Sequence, residues 1–469
     1  MGCAAVSAYA DIAAVELERL YADGAIDPVA VWRSVRERMD AWEPVVHATS
    51  HRDDATSESE AHAAAQRWRT GRPLGPLDGV PVTVKENIAT AGIATPLGTA
   101  AAELVPATAD APVVARLREA GAVVVAKTTM PDYGMLTSGV SSLHPTTRNP
   151  WNPAWTPGGS SAGAAAAAAA GYGPIHIGTD IGGSVRLPAG WTGVVGFKPS
   201  FGRVPVAPPY YGRVAGPLTR TVADAARAMA VISQADDRDH MSLPPQALAW
   251  DEFAGEVTGL RIGLVLNAGA GLPVDREITD AVASAAAALD RAGAHVEPVE
   301  PLITEEMISG LDRFWRMRSY RDWIRLPPER RGRVLPYLRA WMEPAARFTG
   351  TEVFDGFSQM DAMSIAARDA IGELDGLVAP VSPVAAFAAE RPSPAGDPAR
   401  ALEHIAFTVP FNMSGHPAIS VPCTTTSNGR PIGVQLVGRR FADLVVLRVA
   451  AACEALRPAL PPWPAAPTR

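Results

Sequence analysis

The stretch Asp110–Lys127, DAPVVARLREAGAVVVAK, decides the fold class. Asp110 stands where a helix N-cap is expected and Pro112 falls in the first turn, which predicts a helix over Ala111–Ala120. Gly121 ends it, and Ala122–Lys127 carries no charge before its last residue, the mark of a strand buried on both faces. A helix, a glycine turn and a buried strand in succession form one unit of a layered α/β sheet. Working outward, Leu77–Ile88 (LDGVPVTVKENI) is a second β-rich run bounded by Gly and Pro. Helical periodicity runs from Ala10 to Leu20, through Val29, Val31 and Val35, and again over Ala61–Trp68. Downstream, strands are predicted at Val194–Phe197, Leu260–Leu266, within Leu374–Pro383 and within His416–Pro422. Thr221 and Asp224 open a helix with a capping-box-like pattern, and further helices are predicted over Asp275–Ala292 and Leu444–Leu456. Ser233–Trp250 reads as a polar, proline-containing linker, and no repeat of fixed period is present.

The 469 residues are 47% hydrophobic and 19% charged, enough to bury a sizeable core and unlike a charge-rich disordered chain. A net charge of −7 gives no overall basic footprint for nucleic acid or an anionic membrane. Cys3, Cys423 and Cys453 lie far apart with no CxxC, so neither a disulfide framework nor a metal site is expected. The first twenty residues lack the basic and apolar regions of a signal peptide, and Val6 stands where myristoylation needs Ser or Thr. Asn149–Thr179 is uncharged, but its Ala, Gly and Pro make it too weakly apolar for a membrane span. These readings lead to an expectation of a cytoplasmic protein with no membrane partner. Between Arg313 and Arg339 nine arginines interleave with Phe314, Trp315, Tyr320, Trp323 and Tyr337. Helical spacing and the acidic balance of the whole chain favour a half-exposed helical segment over a nucleic-acid patch.

Three features carry chemistry together: Lys85 in VPVTVKEN, Ser160 and Ser161 in TPGGSSAG, and Ser184 in GTDIGGSVRLP. Alone, each has a plain structural reading as a strand lysine, a helix-capping serine pair or a glycine turn. Combined, they supply what splitting an amide demands: a nucleophile, a base for its proton, and donors for the oxyanion. Ser184 follows two glycines and is sterically open, and Gly182 and Gly183 offer backbone N–H groups that no Cβ shields. His144 and His176 are the histidines of this region, and neither has an evident carboxylate orienter. A desolvated lysine then stands in as base, provided burial lowers its pKa.

These motifs resemble the amidase signature family, whose pattern is a lysine strand, a Gly-Gly-Ser-Ser-Gly-Gly element and a Gly-Thr-Asp-x-Gly-Gly-Ser-[Ile/Val]-Arg-x-Pro element. Here they read Lys85, Gly158–Gly163 and Gly178–Pro188, with Ser160 75 residues after Lys85 and Ser184 24 after Ser160. The similarity extends to PFNMSGHPAISVP (Pro410–Pro422) and PIGVQLVG (Pro431–Gly438), so it covers most of the chain. The resemblance implies an α/β amidase signature fold over residues 1–469: a mixed sheet flanked by helices on both faces, with a variable helical insertion over 301–370 as a pocket cover. It implies Ser184 as nucleophile, Ser160 (after a cis peptide) as the bridging serine, and Lys85 as base. It also implies an oxyanion hole from the N–H groups of Ile181, Gly182, Gly183 and Ser184. Ser161, Thr179, Asp180 and Arg186 match positions that fix these loops, and Gly134 and Met135 fall where relatives line the acyl pocket beside Ser160.

Some positions depart from the pattern. Ala162 replaces a Gly, Gly190-Trp191-Thr192 replaces the usual Ala-Phe-Cys or Ser-Phe-Cys, and Leu187 replaces a Gln often found in tRNA-amidating enzymes. The expectation is a stand-alone hydrolase of amides or carbamates, with no cofactor, no metal and a small-molecule substrate; a homodimer is compatible with it. The alternative is the glutaminase component of a tRNA-dependent amidotransferase complex, against which Leu187 argues. Gly159–Gly163 also fits G-x-S-x-G, but Trp151–Pro157 is not the apolar strand such an elbow needs. A non-catalytic binding protein would require the loss of a catalytic position, and none is missing.

Overall fold

A computed structural model describes residues 6–467; Cys3 and the N-terminal readings that rest on residues 1–5 lie outside them. The frame is one eleven-stranded mixed sheet. Its strands are β1 (Thr49–His51), β2 (Pro81–Lys85), β3 (Val123–Thr128), β4 (Ile175–Asp180), β5 (Val195–Lys198), β6 (Val214–Thr219), β7 (Arg261–Leu264), β8 (His295–Pro298), β9 (Gly376–Pro380), β10 (Ala418–Thr425) and β11 (Pro431–Gly438). Their spatial order is β1-β3-β2-β4-β6-β5-β10-β11-β9-β7-β8. β3, β2 and β4 run parallel, as do β9, β7 and β8, and antiparallel pairs join the two sets.

The deciding stretch folds as expected in outline: a helix over Pro112–Glu119, then β3. Asp110 departs from its expected role. Ala111 is the N-cap and makes no side-chain bond, while the Asp110 carboxylate accepts from Ala91 N at 2.8 Å and pairs with Arg118 at 3.2 Å. Pro112 at N1 contributes no N–H of its own, so one donor fewer of the first turn is left open. Thr221 does cap its helix (Val222–Ile232), accepting from Asp224 N.

The uncharged Asn149–Thr179 run finds its use inside the protein. Ala162–Ala170 is a helix of one Gly and eight Ala, every residue buried, and its short side chains let it pass close to the sheet. Trp151–Pro157 forms loops and isolated bridges, so no strand precedes Gly159. Residues 301–371 hold two long helices, Glu305–Ile324 and Gly350–Ile371, joined through the short helices Pro328–Arg331 and Pro336–Met342. Many of the basic residues there are spent locally: Arg316 pairs with Asp312, Arg321 with Asp322, and Arg330 with Glu103. Cys423 and Cys453 are free and buried in the core. No helix among the described residues is long and apolar enough to cross a membrane.

Candidate active site

Parallel strands present their carboxyl ends on one edge, where the chain leaves the sheet and loops can gather. Lys85 is the last residue of β2 and Asp180 the last of β4, two neighbouring parallel strands. The loops that leave this edge bring the motif residues together. Ser161 sits close to β4 because Gly178 has no side chain; a Cβ there would lie 2.6 Å from Ser161 Oγ.

Lys85 is wholly buried, and its Nζ donates to Ser160 Oγ at 2.8 Å, Ser161 Oγ at 3.1 Å and Thr179 Oγ1 at 3.1 Å. Burial strips the ammonium of water and Arg213 adds repulsion; together they outweigh Asp180 and Glu86 and pull Lys85 down to about 7. The Gly159–Ser160 peptide is cis. Ser161 N donates to Ser184 O at 3.2 Å, and Ser161 Oγ exchanges 3.3 Å bonds with the backbone of Thr179. Asn87 Nδ2 donates to Thr179 Oγ1 at 3.0 Å.

The loop carrying Ser184 is fastened from below by Asp180. One carboxylate oxygen accepts from Gly183 N at 2.8 Å, Arg186 Nη2 at 2.9 Å and Asn412 Nδ2 at 2.8 Å. The other accepts from Val185 N at 3.1 Å and Arg186 Nε at 3.0 Å. Burial alone would raise this carboxyl, but the charge and hydrogen bonds of Arg186 hold it well below the usual carboxylate range. Arg186 is itself fully buried and donates further to Thr408 O, Gln435 Oε1 and Asn412 Oδ1, at 3.0, 2.7 and 2.6 Å. A buried ion pair satisfied in this way fixes geometry more than it adds stability.

One expected donor departs from its role. The Gly182–Gly183 peptide is clamped at both ends, its carbonyl by Thr408 Oγ1 at 2.7 Å and its N–H by Asp180. Gly183 N–H therefore braces the loop and does not face the cleft. Its φ of +121° also puts that position beyond an ordinary side chain. Among the described residues, the N–H groups of Ile181, Gly182 and Ser184 have no acceptor.

A cavity of about 40 Å³ adjoins Ser184, lined by Gly134, Met135, Thr137, Ile181, Gly182, Trp315, Tyr337 and His404, among others. Thr137 Oγ1, Trp315 Nε1 and both ring nitrogens of His404 are buried there with no partner among the described residues. Burial pushes His404 down to about 3, so it is neutral. Through Met135 this cavity adjoins a larger one of about 530 Å³, lined by Leu97, Tyr133, Tyr210, Arg213, Phe314 and Arg318 among others.

The histidine expectation needs a correction. His144 Nε2 lies 2.5 Å from Glu86 Oε2, so it does have a carboxylate partner, which the sequence did not reveal. His176 bonds Thr83 Oγ1 at 2.8 Å and is held down to about 3 by burial. Neither histidine bonds to Ser160 or Ser184. Trp191, one of the departures from the family pattern, packs edge-on against Phe387 and bonds Val384 O at 2.8 Å. No sequence signal singles out Thr408, Asn412 and Gln435, although they lie in or beside the two C-terminal motifs. Trp315 belongs to the arginine–aromatic run, which gave no hint of a place beside Ser184, and His404 and Arg213 carry no motif at all. Among the described residues, no group of three or more His, Cys, Asp or Glu is arranged to hold a metal.

The family model described as Amidase matches residues 30–447. The chain belongs to the amidase signature family. This amidase signature protein is 34% identical over 461 residues to an acylamidase of Rhodococcus erythropolis, covering 95% of the chain and 96% of that relative. It is also 34% identical over 476 residues to a glutamyl-tRNA(Gln) amidotransferase chain of Symbiobacterium thermophilum, covering 94% and 95%. Among solved structures it superposes on a bacterial aryl acylamidase with a TM-score of 0.85 at 30% identity, covering 95% and 96% of the two chains. It is thus an amidase-family hydrolase acting on carbon–nitrogen bonds.

Proposed function

We propose that this protein is a stand-alone amidase that cleaves small-molecule amides through an acyl-enzyme on Ser184. The 2.8 Å bond from a fully buried Lys85 to Ser160 Oγ carries the reading. A lysine near 7 is neutral in a large share of molecules at neutral pH, and only the neutral amine accepts a proton. Ser184 Oγ attacks the carbonyl, its proton passes to Ser160, and the Ser160 proton passes to Lys85 Nζ. The negative oxygen is met by the free N–H groups of Ile181, Gly182 and Ser184, each such donor stabilising the transition state by roughly 3–4 kcal/mol. The proton then returns through Ser160 to the leaving nitrogen as the C–N bond breaks. Water, giving its proton to the same relay, releases the acid and restores Ser184.

Carbamates are a second substrate class for the same steps. Attack there expels the amine or the alcohol and leaves a carbonate or a carbamate ester on Ser184, whose hydrolysis yields CO2 and the other of the two. The helical segment 301–370 acts as a cover over the pocket; Trp315 and Tyr337, which line the Ser184 cavity, support this.

A product assay on an aryl amide, a long-chain alkyl amide, glutamine and an aryl carbamate tests the reading, with Ser184→Ala as control. Release from a non-glutamine substrate, lost by about 1,000-fold or more in the variant, is expected. Turnover of glutamine alone, or silence until partner proteins are added, overturns it in favour of the amidotransferase reading.

A further inference from the structure

One charge of the arginine-rich helix is turned into a cavity without a carboxylate partner. Arg318, on Glu305–Ile324, lines the 530 Å³ cavity, and its one polar contact is the weak acceptor Met135 Sδ at 3.2 Å. Arg213, one residue before β6, lines the same cavity and makes no side-chain hydrogen bond or ion pair among the described residues. Tyr210 serves both: the Arg213 guanidinium lies 5.3 Å and that of Arg318 4.9 Å from its ring centroid. Arg318 also stands 5.9 Å from the Trp315 ring. The other charges lining the cavity are Arg321 and Asp322, and these bond each other at 2.8 Å. The cavity therefore carries two uncompensated positive charges around one aromatic ring.

Two like charges held near one ring repel each other, and partial burial removes much of the water that would screen them. A tyrosine face attracts a cation, yet it offsets a desolvated guanidinium only in part. An anion between them would relieve both. Guanidinium groups suit a planar oxyanion because their paired N–H donors match its two oxygens.

We propose that Arg213 and Arg318 form a carboxylate-binding subsite, so that the preferred substrates are amides bearing a carboxylate on the portion that occupies the outer cavity. The inference rests on the amidase reading above and specifies its substrate class. Met135 lines both cavities, so they adjoin, and the proposal has one molecule extend past its side chain from Ser184 to the arginines. The inner cavity at Ser184 has no charged lining, which restricts the carboxylate to the outer end.

The experiment pairs each acid with its methyl ester: 4-acetamidobenzoate for a carboxylate on the amine side, and succinanilate for one on the acyl side. In wild type, kcat/KM for the acid exceeds that for the ester by about tenfold or more in at least one pair, mainly through KM. In Arg213→Gln/Arg318→Gln that ratio falls to near one, and in wild type it falls with added salt. Taking the ratio cancels any effect on Lys85 common to both substrates. In parallel, calorimetric binding of both acids and both esters is measured to Ser184→Ala and to Ser184→Ala carrying the two Gln substitutions. Acid-selective binding that the substitutions remove upholds the subsite even where no amide turns over, in which case only the amidase reading fails. Equal turnover and equal binding of acids and esters, or a preference unmoved by the substitutions in variants that melt as wild type does, overturn the subsite.

Discussion

Lys85 and Lys127 are neighbours in the sheet, one closing β2 and the other next to last in β3. Both are buried, and burial pulls each from 10.5 to about 7. Their partners differ. Lys127 Nζ donates to the carbonyl of Ile88 and, at 2.8 Å, to Thr90 Oγ1, a closed arrangement in which the lysine is a strut. Lys85 faces three hydroxyls, one of which belongs to Ser160 in the cleft. A depressed pKa is thus a property of the sheet interior, and a base results only where the nitrogen meets a hydroxyl that can pass a proton onward. Lys198 makes the same point, being buried and near 7 with its Nζ on the carbonyl of Pro199 at 3.0 Å.

Substitution separates the two lysines most sharply. Lys85→Ala is expected to lower kcat by about 100- to 10,000-fold, whereas Lys127→Met keeps kcat within about threefold of wild type and alters only the melting temperature. Steady-state kinetics on a substrate found active in the panel reads both, and equal losses would erase the distinction. Ser160→Ala comes next, with a loss of about 100-fold, smaller than that of Ser184→Ala because water can stand in for part of the relay. Activity should rise with pH through about 7 as Lys85 loses its proton. Arg213 lowers Lys85, so Arg213→Gln should move that rise to higher pH, and an unmoved profile would break the link between them.

The smallest effect is on stability, and there the two lysines should behave alike. Between about 7 and 10.5 the unfolded chain holds a proton on each lysine that the folded chain has released. Stability therefore rises with pH across that window, and the penalty is present in full below it. Removing either lysine should lower this slope by about 1.4 kcal/mol per pH unit, measured by denaturant titration at several pH values. A change with Lys85→Met and none with Lys127→Met would show that their burial is not equivalent.

The contrast also separates what a sequence displays from what it conceals. Lys85, Ser160 and Ser184 are legible because their chemistry sits in short glycine-framed motifs, whose spacing survives any detail of the fold. The strand after Gly121 is legible because five consecutive apolar residues admit few other placements. Asp110 misleads because it lies one residue ahead of the N-cap, and its carboxylate is taken up by Ala91 N and Arg118. The pairing of Glu86 with His144 and the braces on Arg186 are set by distant contacts that leave no local mark. The same holds for Arg213 and Arg318, which meet only because Tyr210 and a separate helix bring them to one cavity.

The braces on Arg186 also have a consequence in time. Thr408, Asn412 and Gln435 follow Arg186 by 222, 226 and 249 residues. During synthesis Ser160 and Ser184 are therefore made long before the residues that hold the Ser184 loop in shape. On the amidase reading, the Ser184 loop therefore cannot take its held shape until the last third of the polypeptide is made and docks.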